Sequence, residues 1–532
     1  MHYNLANHVH RHATQRADQV ALVGDGQSLS YRELGQRAGQ LAAVLSQHIP
    51  KREPGAPIPR VAVIASRSVD ACVAVLGCAW AGATYVPIGT KTPPQRLEKI
   101  LGACDFAALI CDAQGARLVS TEALAATTAA LVVAPRPEYL PCGPSPAGCA
   151  VFDLHALPAS EPPPLAYFEA DDLAYLMFTS GTTGVPKGVM ISAGSAGAFL
   201  EMIAERLGLH ERDRTLEVTE LGFDVSVLNM FATWQAGAAL HVLPATKVMN
   251  AVQVARERGI TVWSSTPSLV ALLRQIKALS AGALPDVRLG IFIGEPLSKG
   301  IIETWRAAAP SCVIEDLYGP TEATVVCTGQ RIECAADYLL TPKRDVASIG
   351  TPLPGNQAVV MNEAREIVAD GEAGELALAG VQLAVGYLGA PELTAQKFPV
   401  IGGQRWYLTG DAAFRDHEGN LHHLGRIDHQ VKVLGNRVEL EEIEAHLREL
   451  ARADLVAVIP WPTIDAMHHG LVAFLCGARL TSDEQLTTAL KARVPSYMLP
   501  SQLHWVASMP MNANGKIDRR ALTARLQEPH GS

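Results

Sequence analysis

Read for its apolar spacing, the chain opens with an amphipathic helix over residues 5–14 and a pair of short strands, 20–23 and 28–31, turning at Asp25-Gly26. Residues 31–48 keep helical periodicity, with Leu34, Leu41 and Leu45 on one side. A buried strand at 60–65 begins an alternation of strands and helices that continues through Ile110 and Val132, the pattern of an α/β fold with a largely parallel sheet. Residues 71–88, ACVAVLGCAWAGATYVPI, carry no charge and are long enough on paper to span a bilayer. Their make-up of Ala, Gly and Cys, closing on Tyr-Val-Pro, instead predicts a buried helix followed by a short strand. A proline-dense stretch from Pro135 to Pro164 reads as a surface connector, and it delivers the chain to a strand at 173–178.

Beyond that strand, residues 195–207 and 268–276 read as helices and 260–263, 289–293 and 313–317 as apolar strands. The strand at 289–293 exits through Gly294-Glu295, and that at 313–317 runs directly into Tyr318-Gly319-Pro320-Thr321-Glu322. Ligands of open α/β sheets sit at such carboxyl ends, so these loops should converge on one crevice. Residues 222–227 are aromatic and β-branched, interrupted by Asp224. Short alternating strands with Asp370-Gly371 and Gly374 turns mark residues 358–387 as a β-rich layer, charges crowd residues 411–444, and the tail from 451 has the pattern of a small α/β domain. The predicted fold is α/β: a large N-terminal core of parallel and mixed sheets with flanking helices, a β-rich layer, and a small mobile C-terminal α/β domain.

Composition narrows the field. A chain of 532 residues exceeds one ordinary core, and 48% hydrophobic with 18% charged residues is a globular balance. The net charge of −9 argues against a general nucleic-acid binder. Ten cysteines show no CxxC pair and no zinc spacing, which fits free thiols in a reducing cytosol. The first 22 residues lack an apolar signal core, so a cytoplasmic protein that is not membrane-bound is expected.

The densest chemistry lies in LMFTSGTTGVPKGV, residues 176–189. Thr179, Ser180, Gly181, Thr182, Thr183, Gly184 and Lys187 place backbone N–H groups, hydroxyls and one cation where a phosphate chain could be wrapped. It is not a GxxxxGK[ST] loop, because Gly188 follows Lys187. No GxGxxG follows the first strand, and no HRD with DFG is present, so neither a nicotinamide enzyme nor a protein kinase is supported.

Together with YGPTE at 318–322, YLTGD at 407–411, GRIDHQVKVLGNRVEL at 425–440 and NANGKIDR at 512–519, this loop resembles the acyl-adenylate-forming superfamily. More closely, it resembles the amino-acid adenylation domains of nonribosomal peptide synthetases and the D-alanine:carrier-protein ligases. The motifs stand in the family's order and span nearly the whole chain. The resemblance implies two steps: a carboxylate attacks the α-phosphate of MgATP, releasing pyrophosphate, and the acyl group then passes to the phosphopantetheine thiol of a separate holo carrier protein. It implies that residues 179–187 wrap the β and γ phosphates, Thr321 lies near the α-phosphate, and Glu322 holds Mg2+. Tyr318 would stack on adenine and Asp316 accept from its amino group, while Asp411 and Arg426 would hold the ribose. Lys516 would stabilise transition-state charge. Asp428 matches the hinge, dividing a core of residues 1–427 from a C-terminal subdomain, 428–532, whose rotation would withdraw Lys516 and bring in the loop around Gly435.

Asp224 occupies the family position that grips an α-ammonium, which implies an amino acid. The remaining lining, matched by motif, is Val225, Leu228, Ser264, Ile291, Ile293, Leu317, Val325 and Val326. Without a charge and with one hydroxyl, it points to a small aliphatic side chain; L-proline fits best, with D- or L-alanine or valine as alternatives. A coenzyme A ligase for a small acid, and a silent homologue, are the competing classes. Val185, Ala193-Gly194, Val385 and Leu434 stand where the family has basic residues. With little chain beyond Lys516, the acceptor is expected in trans.

Overall fold

The computed structural model describes residues 3–50, 56–143, 148–180, 186–333, 338–428, 430–511 and 517–527. Two large sheets form its body. The first runs, from one edge, through Ala150–Asp153, Leu131–Ala134, Phe106–Cys111, Arg60–Ala65, Thr84–Gly89 and Leu173–Thr179, all parallel, then adds Lys187–Ser192 and Gly386–Tyr387 antiparallel. The second is parallel from Val20–Gly24 through Ala239–Val242, Arg214–Glu217, Val262–Ser265, Leu289–Ile293 and Val313–Tyr318, and antiparallel at both ends. Parallel strands covered on both faces need continuous apolar runs, and Phe106–Cys111, Leu131–Ala134 and Leu289–Ile293 supply them.

Helix Val69–Trp80 explains its own composition. Every residue except Asp70 is buried, and a Cβ at Gly77 would fall 2.6 Å from Leu41 Cδ2 on the neighbouring helix Tyr31–His48. Small side chains let these two helices approach closely. Among the described residues no helix is long and apolar enough to cross a membrane.

Two readings of the pattern need correction. The proline-dense connector is not wholly irregular: Ala150–Asp153 pairs with Leu131–Ala134 and forms the edge of the first sheet. In the β-rich stretch, Asn356–Met361 and Gly374–Gly380 join Tyr407–Arg415 and Leu421–Arg426 in a four-stranded antiparallel layer, but Gly386–Tyr387 leaves it to pair with Lys187–Ser192.

Beyond Asp428 the chain forms a compact C-terminal body. Gln430–Val433 and Asn436–Glu439 make a hairpin, and Leu455–Pro460, Leu471–Cys476 and Gln502–Val506 a three-stranded sheet. Helices Leu440–Ala451 and Asp483–Lys491 pack around an apolar cluster built on Ile443, Leu447, Val458 and Leu475. This body is seated on the large one by polar contacts: Arg96 Nη1 lies 2.5 Å from Glu442 Oε1, Lys187 pairs with Glu439, and Arg274 pairs with Asp465. Met467 adds an apolar plug to the cluster around Trp263 and Trp305.

Candidate functional site

The carboxyl ends of the second sheet, the antiparallel layer and the C-terminal hairpin enclose one cavity of about 860 Å³. It is lined by Asp224, Val225, Ile293, Asp316, Leu317, Tyr318, Thr321, Val325, Asp411, Arg426 and Asp428, residues from five separate stretches of chain. The crevice expected from sequence is therefore assembled.

At one end sits a polar group. Asp411 Oδ1 accepts from Arg426 Nη1 at 3.0 Å and lies 3.1 Å from His423 Nε2, while Oδ2 accepts from the Tyr318 hydroxyl at 2.5 Å. Burial opposes ionisation of Asp411, but His423, Arg426 and the Tyr318 hydroxyl outweigh it and hold the carboxyl well below the usual range. Such a carboxylate is suited to accept from vicinal hydroxyls. Arg426 also grips Asp428, through Nε to Oδ1 at 2.8 Å, and the Gln430 N–H donates to the same oxygen. Asp316 is buried on Val313–Tyr318, where burial and the neighbouring Glu315 raise its carboxyl well above the usual range.

The turn after Tyr318 is tight. A Cβ on Gly319 would lie 2.5 Å from Val326 Cα, and Thr324 and Val325 take left-handed φ of 54° and 69°. Left-handed backbone at two non-glycine residues is strained, and here it turns Val325 to the cavity while Val326 packs into the core behind it.

Asp224 precedes a short helical segment, Val225–Val227, that runs into a π turn over Leu228–Ala232. The aromatic and β-branched character of this stretch does not produce a strand. Its Oδ2 is buried with no hydrogen-bond partner among the described residues, while the carboxylate accepts from the Thr321 hydroxyl. Burial lifts the Asp224 carboxyl to about 6. Of the expected pocket residues, Val225, Ile293, Leu317 and Val325 line the cavity. Leu228, Ser264, Ile291 and Val326 do not: each is buried outside that lining, with the Ser264 hydroxyl unpartnered among the described residues.

Thr179 and Lys187 face each other at the ends of a hairpin, and the buried Thr179 hydroxyl has no hydrogen-bond partner among the described residues. Ser180 donates from its hydroxyl to the Arg437 carbonyl at 3.1 Å. Gly181, Thr182, Thr183, Gly184 and Lys516 lie outside the described residues.

Glu322 is fully buried. Arg437 Nη1 lies 3.1 Å from its Oε1 and 2.9 Å from Oε2, and the Tyr387 hydroxyl donates to Oε1 at 2.9 Å. Burial works against the charge, yet Arg437 and Tyr387 keep the carboxyl below the usual range. A buried carboxylate is the hard oxygen donor Mg2+ prefers. In this arrangement, however, both oxygens are committed and a guanidinium occupies the approach, so Glu322 as placed here does not fit the ion. Nearby, the Gly435 N–H donates to Glu295 Oε1 at 2.5 Å, so the loop around Gly435 stands in the crevice. Arg437, Tyr387 and His423 were not assigned roles by sequence reasoning. Arg437 lies within the motif at 425–440, where charge density was the available signal, and Tyr387 closes the stretch read as a β-rich layer.

Two α/β sheets that open at their carboxyl ends onto one crevice, with a small third body seated over it, make up the architecture of an adenylate-forming enzyme. The chain belongs to the AMP-binding enzyme family, whose model matches residues 9–388. It is similar to a D-alanine--D-alanyl carrier protein ligase of Bacillus licheniformis, 30% identical over 524 residues, which cover 97% of this chain and 98% of the relative. Among solved structures it is similar to the Vibrio cholerae adenylation domain AlmE in complex with glycyl-adenosine-5'-phosphate, at TM-score 0.85 and 26% identity, covering 99% of this chain and 98% of that one. It is also similar to IdnL7, at TM-score 0.71 and 31% identity, covering 100% of both chains. As a member of the family the chain is an AMP-forming ligase that uses ATP and Mg2+.

Proposed function

We propose that this enzyme activates a small amino acid as its aminoacyl adenylate, releasing pyrophosphate, and transfers it to the phosphopantetheine thiol of a separate carrier protein. The observation that carries the reading is Asp224: a carboxylate that lines the same cavity as Asp411 and has a buried oxygen without a hydrogen-bond partner among the described residues. A buried anion of this kind calls for a cation, and an α-ammonium supplies one. The carboxylate of the same amino acid then points toward the nucleotide, whose ribose hydroxyls are given to Asp411 and Arg426 and whose adenine lies beside Tyr318 and Asp316. Lys187 and Thr179 take the departing phosphates, Lys516 serves the adenylation step, and the C-terminal body turns about Asp428 between the two steps.

For the side chain, Val225, Ile293, Leu317 and Val325 present only apolar surface. Relatives that act on D-alanine and hold a glycyl adenylate support the small end of the range. Alanine is therefore put ahead of proline, with valine third. Pyrophosphate exchange with a panel of D- and L-amino acids tests the reading: alanine or proline should support exchange well above serine or leucine, and no exchange with any amino acid would overturn it. Loading of a holo carrier protein, in preference to coenzyme A, tests the second step.

A further inference from the structure

The strands Tyr407–Arg415 and Leu421–Arg426 pair in a register that steps once. Asp411 stands opposite Arg426 and Ala412 opposite Gly425, but Ala413 stands opposite His423, so Leu424 is the extra residue of a β-bulge. Side chains alternate across a sheet, and an unbroken register would set Leu424 on the face of Asp411. The bulge sets His423 there instead, with Gly425 at a φ of 121° taking the bend. Arg344 Nη1 donates to the His423 carbonyl at 3.1 Å and pins the turned backbone, while the imidazole lines the cavity beside the Tyr318 ring.

Burial opposes the charge on Asp411, but His423, Arg426 and Tyr318 sustain it. An ionised carboxylate only accepts, so His423 Nε2, 3.1 Å from Oδ1, carries the proton between them. Arg426 Nη1 reaches the same Oδ1 at 3.0 Å, and the Tyr318 hydroxyl reaches Oδ2 at 2.5 Å. A carboxylate offers about four lone-pair places, about two on each oxygen. His423 and Arg426 therefore fill Oδ1, and only Oδ2 keeps a place open. We propose that His423 is a specificity-determining residue for the ribose: by filling the second place on Asp411 Oδ1, it lets the carboxylate accept from only one of the two vicinal hydroxyls of the nucleotide. The inference rests on the placement of the ribose at Asp411 proposed above. His423 acts through Asp411, as a positioning residue, and the consequence is an enzyme that tolerates a nucleotide missing one particular ribose hydroxyl.

Binding of the magnesium complexes of ATP, 2′-deoxy-ATP and 3′-deoxy-ATP to the full chain, measured by calorimetry without amino acid, tests this. In the unmodified protein one deoxy nucleotide should bind within about threefold of ATP and the other roughly 10- to 100-fold more weakly, the loss expected for a hydrogen bond to a charged group. His423→Phe keeps a ring but has no N–H to offer. It opens the place on Oδ1 to the second hydroxyl, and both deoxy nucleotides should then bind roughly tenfold or more weakly than ATP. His423→Gln returns an N–H donor and should restore the one-sided pattern of the parent. Each comparison is between nucleotides on one protein, so partial misfolding of a variant cancels. Equal binding of the two deoxy nucleotides to the unmodified protein, or a pattern that His423→Phe leaves unchanged, would overturn the inference. ATP binding unaffected by Asp411→Asn would instead sink the placement of the ribose. Absence of amino-acid-dependent exchange would overturn the proposed reaction, and leaves these binding ratios readable.

Discussion

Replacing Asp224 by Asn tests the acyl end of the site through two quantities that should move in opposite directions. In the enzyme without amino acid, burial lifts the Asp224 carboxyl from 3.8 to about 6. At about 1.36 kcal/mol per unit, an ionised Asp224 costs the folded protein about 3 kcal/mol. Because the folded value lies above the unfolded one, that cost is fully present above about pH 6, shrinks as the pH falls toward 4, and is gone below it. Asn keeps the shape and the contact with Thr321 but not the charge. Asp224→Asn should therefore raise the thermal midpoint by a few degrees at pH 8, with little difference near pH 4. Its KM for the amino acid in pyrophosphate exchange should rise by ~100-fold or more, since the ammonium loses its counter-ion. In the unmodified enzyme, kcat/KM for the amino acid should decline below about pH 6 as Asp224 takes up a proton. A KM within twofold of the parent, or the same gain in midpoint at both pH values, would refute the assignment.

Other changes separate the two half-reactions. Lys516→Ala should abolish adenylate formation yet allow transfer from a supplied aminoacyl adenylate; loss of both steps would refute that division. Glu295→Gln weakens the acceptor for the Gly435 N–H, 2.5 Å away, and should slow loading of the carrier several-fold while exchange is retained, read by comparing the two assays on one preparation. Asp411→Asn removes the carboxylate held by His423 and Arg426 and should raise the KM for ATP by roughly 10- to 100-fold with little change in KM for the amino acid; equal effects on both would count against a ribose contact.

Much of the fold was legible because its strands are apolar runs with clear exits. The crevice could be placed from Gly294-Glu295 and Tyr318-Gly319 alone, since a parallel sheet presents its loops at one end. Depth along a strand was not legible. Ile291 and Ile293 share a face of one strand, yet only Ile293, at the carboxyl end, reaches the cavity. Nor does sequence show which distant groups will meet. Arg437 acquires its meaning from Glu322, 115 positions away, and His423 from a cross-strand neighbour on the far side of a turn. Tyr387 reads as the end of a β layer until its strand is seen to pair with Lys187–Ser192 and bring its hydroxyl to Glu322.

The Arg96–Glu442 contact bears on how such enzymes can be recombined. Its side chains are 9% and 0% exposed, one on each body. A chimera that grafts a C-terminal body from a relative onto this core, and brings no carboxylate to that spot, would deprive Arg96 of its counter-ion in a setting where losing one partner of a buried pair costs about 3 to 5 kcal/mol. The graft could fold, bind ATP and form adenylate, and still fail to complete its cycle. Compatibility between the two halves of this protein is thus written partly in residues remote from either substrate, and a successful exchange of parts must carry Arg96 and its partner together.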